Sequence, residues 1–297
     1  MVSVIIPSFN RKSDLRKAIQ SVREQSYTDH EIIVVDDGST DGTKEYLNQN
    51  FPEIIVIRHE TSQGGSVARN AGARRATGEY VAFLDSDDRW LPNHLTSKID
   101  FLKRAGADGV YSSFYNQVEN DEPIRMAFNA RGLRRGNMGD MIFGNQRFDA
   151  RTSTFIFKRE AFLSVAFDEK LRKHQDWDLA IAFDKQFDFA FMEDATVVLS
   201  VSREAVRMSN SLNHHASIYF LNKNQDKVSK NALFLFCLKM VYRCEMRNEP
   251  KEIRRLYLQF SKQIQNELSL KFRIIYFLVS SGLLSATFFH RLKRAVQ

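Results

Sequence analysis

The chain is poor in cysteine, and its first apolar run does not continue far enough to form a leader. Its 297 residues include two cysteines, Cys237 and Cys244. They are seven residues apart, which places them on one side of a helix, and no CxxC pair occurs. We therefore expect reduced, packed thiols rather than a disulfide framework. The first apolar run is a predicted strand interrupted by Pro7, which does not fit a secretory signal. These features together favour a cytoplasmic protein.

Other absences exclude whole classes of function. No GxGxxG motif follows any predicted strand, which disfavours a dinucleotide-binding dehydrogenase. The formal net charge is +7, but no stripe of basic and aromatic residues indicates nucleic-acid binding. We find no internal repeat and no low-complexity tract. The uncharged stretch 274–289 is shorter than the ~20 apolar residues that a membrane-spanning helix needs.

What is present is the composition of a globular protein, with 43% hydrophobic and 27% charged residues. Short apolar runs alternate with helical patterns through the first two thirds of the chain. This alternation predicts an α/β fold with a mostly parallel sheet flanked by helices. The predicted strands are 2–7, 31–35, 54–57, 80–84, 109–112, 154–157 and 196–200, and the predicted helices are one capped by Ser13 and those at 43–48, 67–76, 94–103 and 176–185.

Two regions depart from this alternation. Residues 119–152 are rich in Asn, Arg, Gly and Met and lack periodicity, so we interpret them as a long mobile loop of the kind that forms lids. From about residue 217 onward the pattern is only helical, with a break at Pro250.

Three closely spaced acidic residues follow the buried run 80–84. Asp85, Asp87 and Asp88 would repel one another there, and a hard cation such as Mg²⁺ or Mn²⁺ would relieve the repulsion. Ligand sites in open α/β sheets lie at the carboxyl ends of strands, which is where these acids occur. The alternative is a polar turn with solvated carboxylates.

Four stretches at predicted strand ends agree in order and spacing with one family. They are VSVIIPSFNR, IIVVDDGSTDGT, ARNAG and FLDSDDRW. Over about residues 1–202 the chain resembles the family 2 glycosyltransferases with the Rossmann-like GT-A fold. The resemblance implies an inverting, metal-dependent transfer of a sugar from a nucleotide-sugar donor, most simply a UDP-sugar. It also implies a catalytic domain at 1–205, with donor binding in 1–112 and the acceptor side in 113–205, followed by a helical region at 206–297.

The resemblance also implies roles for single residues on the donor side. An acid from Asp36 or Asp37 would accept the imide N–H of the base. The alternative is that 36–41 is a turn that caps the next helix through Ser39 or Asp41. The remaining implied donor-binding residues are Pro7, Phe9 and Arg11, which would line the base pocket, together with Arg69, Asp85 and Ser86.

Arg69 lies on a helix opened by 64–66, and a helix start with a guanidinium is a natural anion site. Its alternative is a surface arginine. By resemblance, Asp87 ligates the Mn²⁺ or Mg²⁺ that bridges the diphosphate, and Asp85 contacts the ribose or the water shell of the metal. Asp88 would hold Asp85 and Asp87 in position without binding the metal itself.

Asp176 occupies the position of the general base in the family, before Trp177-Asp178-Leu179. Gln175 departs from the usual glutamate, while the aspartate itself is retained. Asp176 can also cap the helix that follows it. Two weaker groups complete the set: Arg203 and Arg207, where relatives place a basic residue near the diphosphate, and His214 and His215, which either approach the metal or are solvated.

The expected acceptor is a hydroxyl of a glycan or of a polyprenyl-linked sugar in surface polysaccharide synthesis. Two alternatives stay open: a non-catalytic nucleotide-sugar-binding assembly subunit and a nucleotide-sugar pyrophosphorylase. The second lacks support because residues 10–13 replace its glycine- and arginine-rich loop.

The C-terminal stretch has two interpretations. No acid occurs between residues 272 and 297, and basic residues flank the apolar run 274–289. The stretch is either a helix packed on the catalytic domain or an interfacial helix that contacts an anionic membrane through 273–297. The second interpretation would place the protein peripherally on the inner face of the cell membrane. The basic residues in question are Arg273, Arg291, Lys293 and Arg294.

Overall fold

The computed structural model describes residues 1–118, 121–126, 133–144, 148–201, 213–283 and 285. Arg203, Arg207 and the basic end of the C-terminal stretch lie outside the described residues, as do parts of the predicted lid at 119–152. The strands are β1 (Val2–Ser8), β2 (His30–Asp36), β3 (Ile55–Arg58), β4 (Tyr80–Phe83), β5 (Arg89–Trp90), β6 (Gly109–Ser112), β7 (Tyr115–Val118), β8 (Ile124–Arg125), β9 (Ile156–Lys158), β10 (Phe189–Met192) and β11 (Val197–Val201).

Eleven α-helices lie within the described residues. They are α1 (Lys12–Arg23), α2 (Thr43–Asn50), α3 (Gly65–Arg75), α4 (His94–Ala105), α5 (Met138–Gly144), α6 (Arg159–Val165), α7 (Gln175–Asp184), α8 (His214–Asn224), α9 (Lys230–Met246), α10 (Lys251–Ile264) and α11 (Leu270–Ser280). Short 3₁₀ turns occupy Thr152–Thr154 and Gln265–Glu267.

The central sheet has the strand order β10-β6-β9-β4-β1-β2-β3. Every neighbouring pair is parallel except those that involve β9, which runs antiparallel to β4 and β6. The sheet order changes direction at β1, because β2 and β3 lie on one side of it and β4 lies on the other. Ligands bind at such switch points, beyond the carboxyl ends of the strands. The predicted mostly parallel α/β fold is confirmed.

Alternate residues of the central strands enter two separate cores. Ile5, Ile33 and Phe83 belong to a core on one face of the sheet, whereas Ile6 and Val34 belong to a core on the other face. All five are fully buried. Because both faces are covered, the strands read as continuous apolar runs rather than alternating ones, which is why they stand out in the sequence.

A second sheet of order β5-β11-β7-β8 lies beside the acidic loop. Of its four strands, only β11 corresponds to a predicted one. β5 and β8 have two residues each and β7 four, so none of the three produces a periodic signal. They form because neighbouring strands are available for pairing, which the local sequence does not show.

Three local predictions are wrong. Ser13 does not cap α1, because it lies inside the helix and the preceding position is Arg11. The strand expected at 154–157 begins two residues later, after the 3₁₀ turn Thr152–Thr154. The region 119–152 has structure of its own, because α5 is largely buried against α7 and α9. A seven-residue helix is too short for its periodicity to be seen.

The C-terminal region is helical, as predicted. α9 packs against α5 and α10 and contributes Phe234 and Phe236 to the larger of the two cores. Cys237 and Cys244 are free and buried, which confirms the expectation of packed thiols. None of the helices in the described ranges is both long and apolar enough to cross a membrane.

α11 packs on the rest of the protein along one face, and contact of its other face with a membrane stays a prediction. Ile275 and Val279 are buried, and the ring of Tyr276 lies 6.4 Å from that of Phe234 on α9. The opposite face leaves Ile274 53% and Phe277 62% exposed. One side of the helix therefore packs on the protein while the other presents apolar side chains outward.

Candidate active site

The loops after β1 and β2 form one unit at the carboxyl edge of the sheet. Asn10 adopts a left-handed backbone with φ of 52°. Its backbone N–H donates to Ser39 Oγ at 2.9 Å, and its side-chain oxygen accepts from the N–H of Thr40 at 2.8 Å. The N–H of Asp37 donates to the carbonyl of Ser8 at 2.8 Å. The two loops are thus fixed relative to each other without a ligand.

Asp36 is completely buried in this unit. Its carboxylate pairs with Arg58 and accepts from the N–H of Ser39 at 2.9 Å. A donor base could reach this carboxylate only after Arg58 or the loop moves. The role of Asp36 in base recognition stays a prediction, and its observed contacts organise the turn.

Asp37 is also engaged by the protein. It accepts from Ser62 Oγ at 2.8 Å and from the N–H groups of Gln63 and Gly64, and it lies 2.7 Å from His59 Nδ1. Burial raises the pKa of Asp37, but these hydrogen bonds outweigh burial and hold the pKa below its usual value. Asp37 therefore fixes the start of α3, where the chain must turn through Gly64 at φ of 97°.

The other residues expected at the base pocket lie on the same edge. Pro7 is partly buried within β1, and the Phe9 ring is 48% exposed just beyond that strand. Arg11 Nη1 lies 3.3 Å from Asp14 and 3.5 Å from Asp87. Arg11 thus links the loop after β1 to the acidic loop after β4.

The acidic loop presents its carboxylates differently. Asp85 and Asp87 keep 35% and 23% of their side-chain surface exposed, whereas Asp88 and Ser86 are buried. Asp88 accepts from Ser153 Oγ at 2.6 Å and from the N–H of Ser200 at 3.1 Å. Burial, together with the charges of Asp87 and Asp85, raises the pKa of Asp88 well above its ordinary value. The supporting role of Asp88 at the metal stays a prediction.

The 3₁₀ turn Thr152–Thr154 contacts the acidic loop and fixes its position. Ser153 Oγ also accepts from the N–H of Asp85 at 3.1 Å, and the carbonyl of Ser153 accepts from Trp90 Nε1 at 2.8 Å. The carbonyl of Thr154 accepts from the ammonium group of Lys98, which is completely buried. Burial lowers the pKa of Lys98 well below its usual value.

Arg69 joins the acidic loop to the start of α7. Its Nη2 lies 2.5 Å from Asp85 Oδ1, and its Nη1 donates to Gln175 Oε1 at 3.1 Å. The guanidinium carbon also lies 5.4 Å from the centre of the Phe167 ring. Since Arg69 is 8% exposed and held on both sides, the alternative of a loose surface arginine is wrong. Gln175, which replaces the usual glutamate, here serves as a neutral acceptor for this arginine.

Asp176 follows Gln175 in the first turn of α7. Its Oδ1 accepts from the N–H of Trp177 at 3.0 Å, and its side chain is partly exposed but closely surrounded by protein. Burial raises the pKa of Asp176 to about 6, against the lowering effect of Arg151 and with further raising by Asp149 and Asp85. A carboxylate with such a pKa is well placed to accept a proton near neutral pH.

Asp149 and Arg151 act on Asp176 through contacts that the sequence did not predict, although it placed 151–153 near the donor sugar. Asp149 pairs with Arg151 at 2.7 Å and accepts from Trp177 Nε1 at 2.8 Å. The charge of Asp149, followed in weight by that of Asp176, raises the pKa of Arg151 against the effect of burial. Asp149 and Arg151 belong to the irregular region 119–152, and neither spacing nor periodicity predicts their contacts.

The histidines have structural contacts. His174 has φ of 63°, stacks on Trp177 at 5.0 Å, and lies with Nε2 2.9 Å from Ser217 Oγ. His214 lies 3.1 Å from the hydroxyl of Tyr257 and 3.6 Å from Glu249. The alternative that places His214 at the metal is therefore not supported by its neighbours.

Within the described ranges, no three His, Cys, Asp or Glu side chains are grouped closely enough to form a complete metal cage. The acidic loop instead offers Asp87 and Asp85 as partly exposed carboxylates. Mg²⁺ in particular is commonly bound by one or two carboxylates together with substrate phosphates. The donor set therefore fits a metal that arrives with a diphosphate.

The glycosyl transferase family 2 model matches residues 3–168, more than half of the chain. The chain belongs to this family. A second comparison finds 32% identity over 193 residues to the amylovoran biosynthesis glycosyltransferase AmsB of Erwinia amylovora, covering 62% of this chain and 64% of that protein. Identity is 35% over 168 residues to WfaP of Escherichia coli, named as a UDP-Glc:alpha-D-GlcNAc-diphosphoundecaprenol beta-1,3-glucosyltransferase, covering 56% and 64%. The matched part spans just under two thirds of each of these family 2 relatives.

Solved structures support the same GT-A fold for this family 2 chain. TarS 1-349 of S. aureus superposes with a TM-score of 0.68 at 17% identity, covering all of this chain and 92% of that one. The mannosyltransferase PcManGT of Pyrobaculum calidifontis, solved with GDP-Man and Mn²⁺, has a TM-score of 0.60 at 16% identity, covering 96% and 81%. At these identities the likeness shows the fold.

Proposed function

We propose that this family 2 chain transfers a sugar from a nucleotide-sugar donor to an acceptor hydroxyl, with Asp176 as the general base. The observation that carries the proposal is the bridge through Arg69, which contacts both Asp85 and Gln175. It brings the exposed acids of the donor side and the first turn of α7 into one site. Neither half would suffice alone, because transfer needs a stabilised leaving group and a base for the acceptor.

The base assignment has independent support from electrostatics. Burial raises the pKa of Asp176 to about 6, and Asp85 is among the charges that act on it. Asp176 would take the proton of the acceptor hydroxyl as that oxygen attacks the anomeric carbon. Attack from the face opposite the leaving diphosphate inverts the configuration, so an α-linked donor gives a β-linked product.

On the donor side, Asp87 would hold Mn²⁺ or Mg²⁺ together with the diphosphate, and Asp85 would contact the ribose or the water shell of the metal. The metal supplies charge neutralisation for the leaving nucleotide. Arg11 lies 3.5 Å from Asp87 and would move toward the donor when that carboxylate is engaged. Pro7 and Phe9 would line the base pocket with Arg11, while Ser86 would face the donor from the acidic loop.

The most economical donor is a UDP-sugar, because WfaP is named for one and the chain shares its matched segment. Relatives named for amylovoran and diphosphoundecaprenol substrates support a glycan or lipid-linked acceptor in surface polysaccharide synthesis. The division at residue 205 between a catalytic domain and a helical region is part of this proposal. α9 and the sheet nevertheless share one core.

We further propose that α11 contacts an anionic membrane. Its outward face carries Ile274 and Phe277, and the sequence from 272 to 297 has basic residues but no acid. An apolar face flanked by cations is typical of interfacial helices. Such contact would bring the active site to a lipid-linked acceptor at the inner face of the cell membrane.

A donor screen tests the central proposal. Purified protein is incubated with single nucleotide-sugars, Mn²⁺ and a pooled set of glycosides and lipid-linked sugars, and release of the nucleoside diphosphate is measured. We expect release with one donor that depends on an acceptor and is lost in Asp176→Asn. Acceptor-dependent release that persists fully in this variant would remove Asp176 as the base. Binding of nucleotide-sugars without transfer to any acceptor would instead favour a binding subunit.

A further inference from the structure

A row of cations runs along α9 beside the base. We call Lys239, Arg243 and Arg247 the basic row; their spacing of four residues places them on one face of the helix and its end. The rise of an α-helix makes the row about 12 Å long. Neither the proposed donor site nor the proposed base uses these three residues.

Contacts with Trp177 fix the position of the row relative to Asp176. The Lys239 ammonium group lies 5.3 Å from the centre of the Trp177 ring. That ring is one residue from the base and donates through Nε1 to Asp149. The charge of Asp149 also acts on Arg243, one turn further along α9. The row therefore lies beside Trp177 and Asp149, next to the first turn of α7 that carries the base.

The cations crowd one another. Lys173, three residues before the base, has its pKa lowered to about 8 by burial and by the charges of Arg243 and Arg247. Burial and the charge of Arg247 likewise lower the pKa of Arg243, against the opposite effect of Asp149. Like charges held this close disfavour their own ionised forms, and a bound anion would reverse the effect.

Acids near the row have other cationic or polar neighbours. Asp149 pairs with Arg151 at 2.7 Å, and Glu245 lies 3.4 Å from Arg254. Glu249 lies 3.6 Å from His214. Among the described contacts, these acids therefore face cations or polar groups outside the row.

We propose that the basic row, with Lys173 beside it, binds the diphosphate of a lipid-linked acceptor. This inference rests on the proposed function, and it identifies the part of the acceptor that the chain recognises. The donor diphosphate has its own cations, Arg11 and Arg69, which contact the acidic loop through Asp87 and Asp85. An acceptor sugar must place its hydroxyl at the base, and a diphosphate on its reducing end would then lie along the row. Guanidinium groups suit this role because they bind phosphate in a bidentate manner.

Direct binding tests this assignment without turnover. Farnesyl diphosphate is titrated into the full chain in excess EDTA, with farnesol as the uncharged probe. We expect binding of the diphosphate only, weakened about tenfold in Arg243→Gln and in Arg247→Gln, because a charge-assisted hydrogen bond is lost in each. Arg255→Gln, an exposed arginine on α10, should bind as the wild type does. Arg243→Lys keeps the charge and should retain most of the affinity, which separates loss of charge from loss of fold.

Additional binding measurements distinguish an acceptor diphosphate from the donor diphosphate and from membrane phosphate. Equal affinity of wild type, Arg243→Gln and Arg247→Gln for farnesyl diphosphate would overturn the proposal, as would no binding by the wild type. The proposal also fails if these variants lose affinity for UDP with Mn²⁺ to the same extent, since the row would then serve the donor. Loss of binding to phosphatidylglycerol vesicles with unchanged binding of farnesyl diphosphate would assign the row to the membrane. Transfer to a neutral glycoside reports on the proposed function separately, because it needs Asp176 and not the row.

Discussion

The hydroxyl of Ser153 lies 2.6 Å from a carboxylate oxygen of Asp88, although 65 residues separate the two in the chain. The same hydroxyl accepts from the backbone N–H of Asp85. One small side chain thus sets both ends of the acidic loop. Asp88 is buried against Ser153, whereas Asp85 and Asp87 stay partly exposed.

Replacing this serine should loosen the acidic loop. We expect Ser153→Ala to leave Asp88 without one partner and to lower the free energy of unfolding by about 1–3 kcal/mol, the cost of an unsatisfied buried polar group. Affinity for UDP with Mn²⁺ should fall as well, measured by calorimetry. Ser164→Ala is the control, because that hydroxyl donates to the Ala161 carbonyl within its own helix, α6. An unchanged affinity for UDP with Mn²⁺ would show that Ser153 does not position the acids.

The acid assigned to the metal can be removed without a large structural loss. Asp87 is partly exposed, and its 3.5 Å contact with Arg11 is a weak ion pair. We expect Asp87→Ala to reduce transfer by roughly 10²-fold or more, because the leaving diphosphate would lose its neutralising metal. Thermal unfolding should stay close to that of the wild type. Asp226→Ala, at an exposed position two residues after the end of α8, serves as the control.

Chelation provides the matching test for the wild type. Transfer should stop in excess EDTA and return with Mn²⁺ or Mg²⁺. Full activity of Asp87→Ala, or of the wild type in EDTA, would contradict the metal assignment while leaving the family and the fold untouched.

The pKa of Asp176 predicts a pH profile. A general base works only when deprotonated, so kcat should fall as the pH drops through about 6. Asp176→Asn should bind the donor normally but lose ~10²–10⁴-fold in turnover. Arg151→Gln should move the acidic limb of the profile to higher pH, because Arg151 lowers the pKa of Asp176. A limb that keeps its position in Arg151→Gln would mean that another group titrates.

The elements and residues that could be predicted from the sequence are those marked by a short continuous stretch of the chain. The apolar runs of β1, β2 and β4 are buried on both faces, so they appear as uninterrupted hydrophobic stretches, and the four motifs sit directly at strand ends. The contacts of Ser153 with Asp85 and Asp88 could not be found in this way, because these partners are more than 60 residues away in the chain. The same holds for the basic row, where the spacing of four residues is common on any exposed helix. Only the packing of α9 beside Trp177 gives that spacing a meaning.

The outward face of α11 leads to the last prediction. Full-length protein should sediment with phosphatidylglycerol vesicles at low salt and be released at high salt, since cations near an anionic surface contribute about 1 kcal/mol each. Ile274→Ser combined with Phe277→Ser should weaken binding and leave UDP binding intact, because both side chains are exposed and the packed face of α11 is unchanged. Ile124→Ser removes an equally exposed apolar side chain from β8 and should bind vesicles as the wild type does. If the full-length protein stays in the supernatant with these vesicles at low salt, α11 is a packing element, and a lipid-linked acceptor would have to be reached without it.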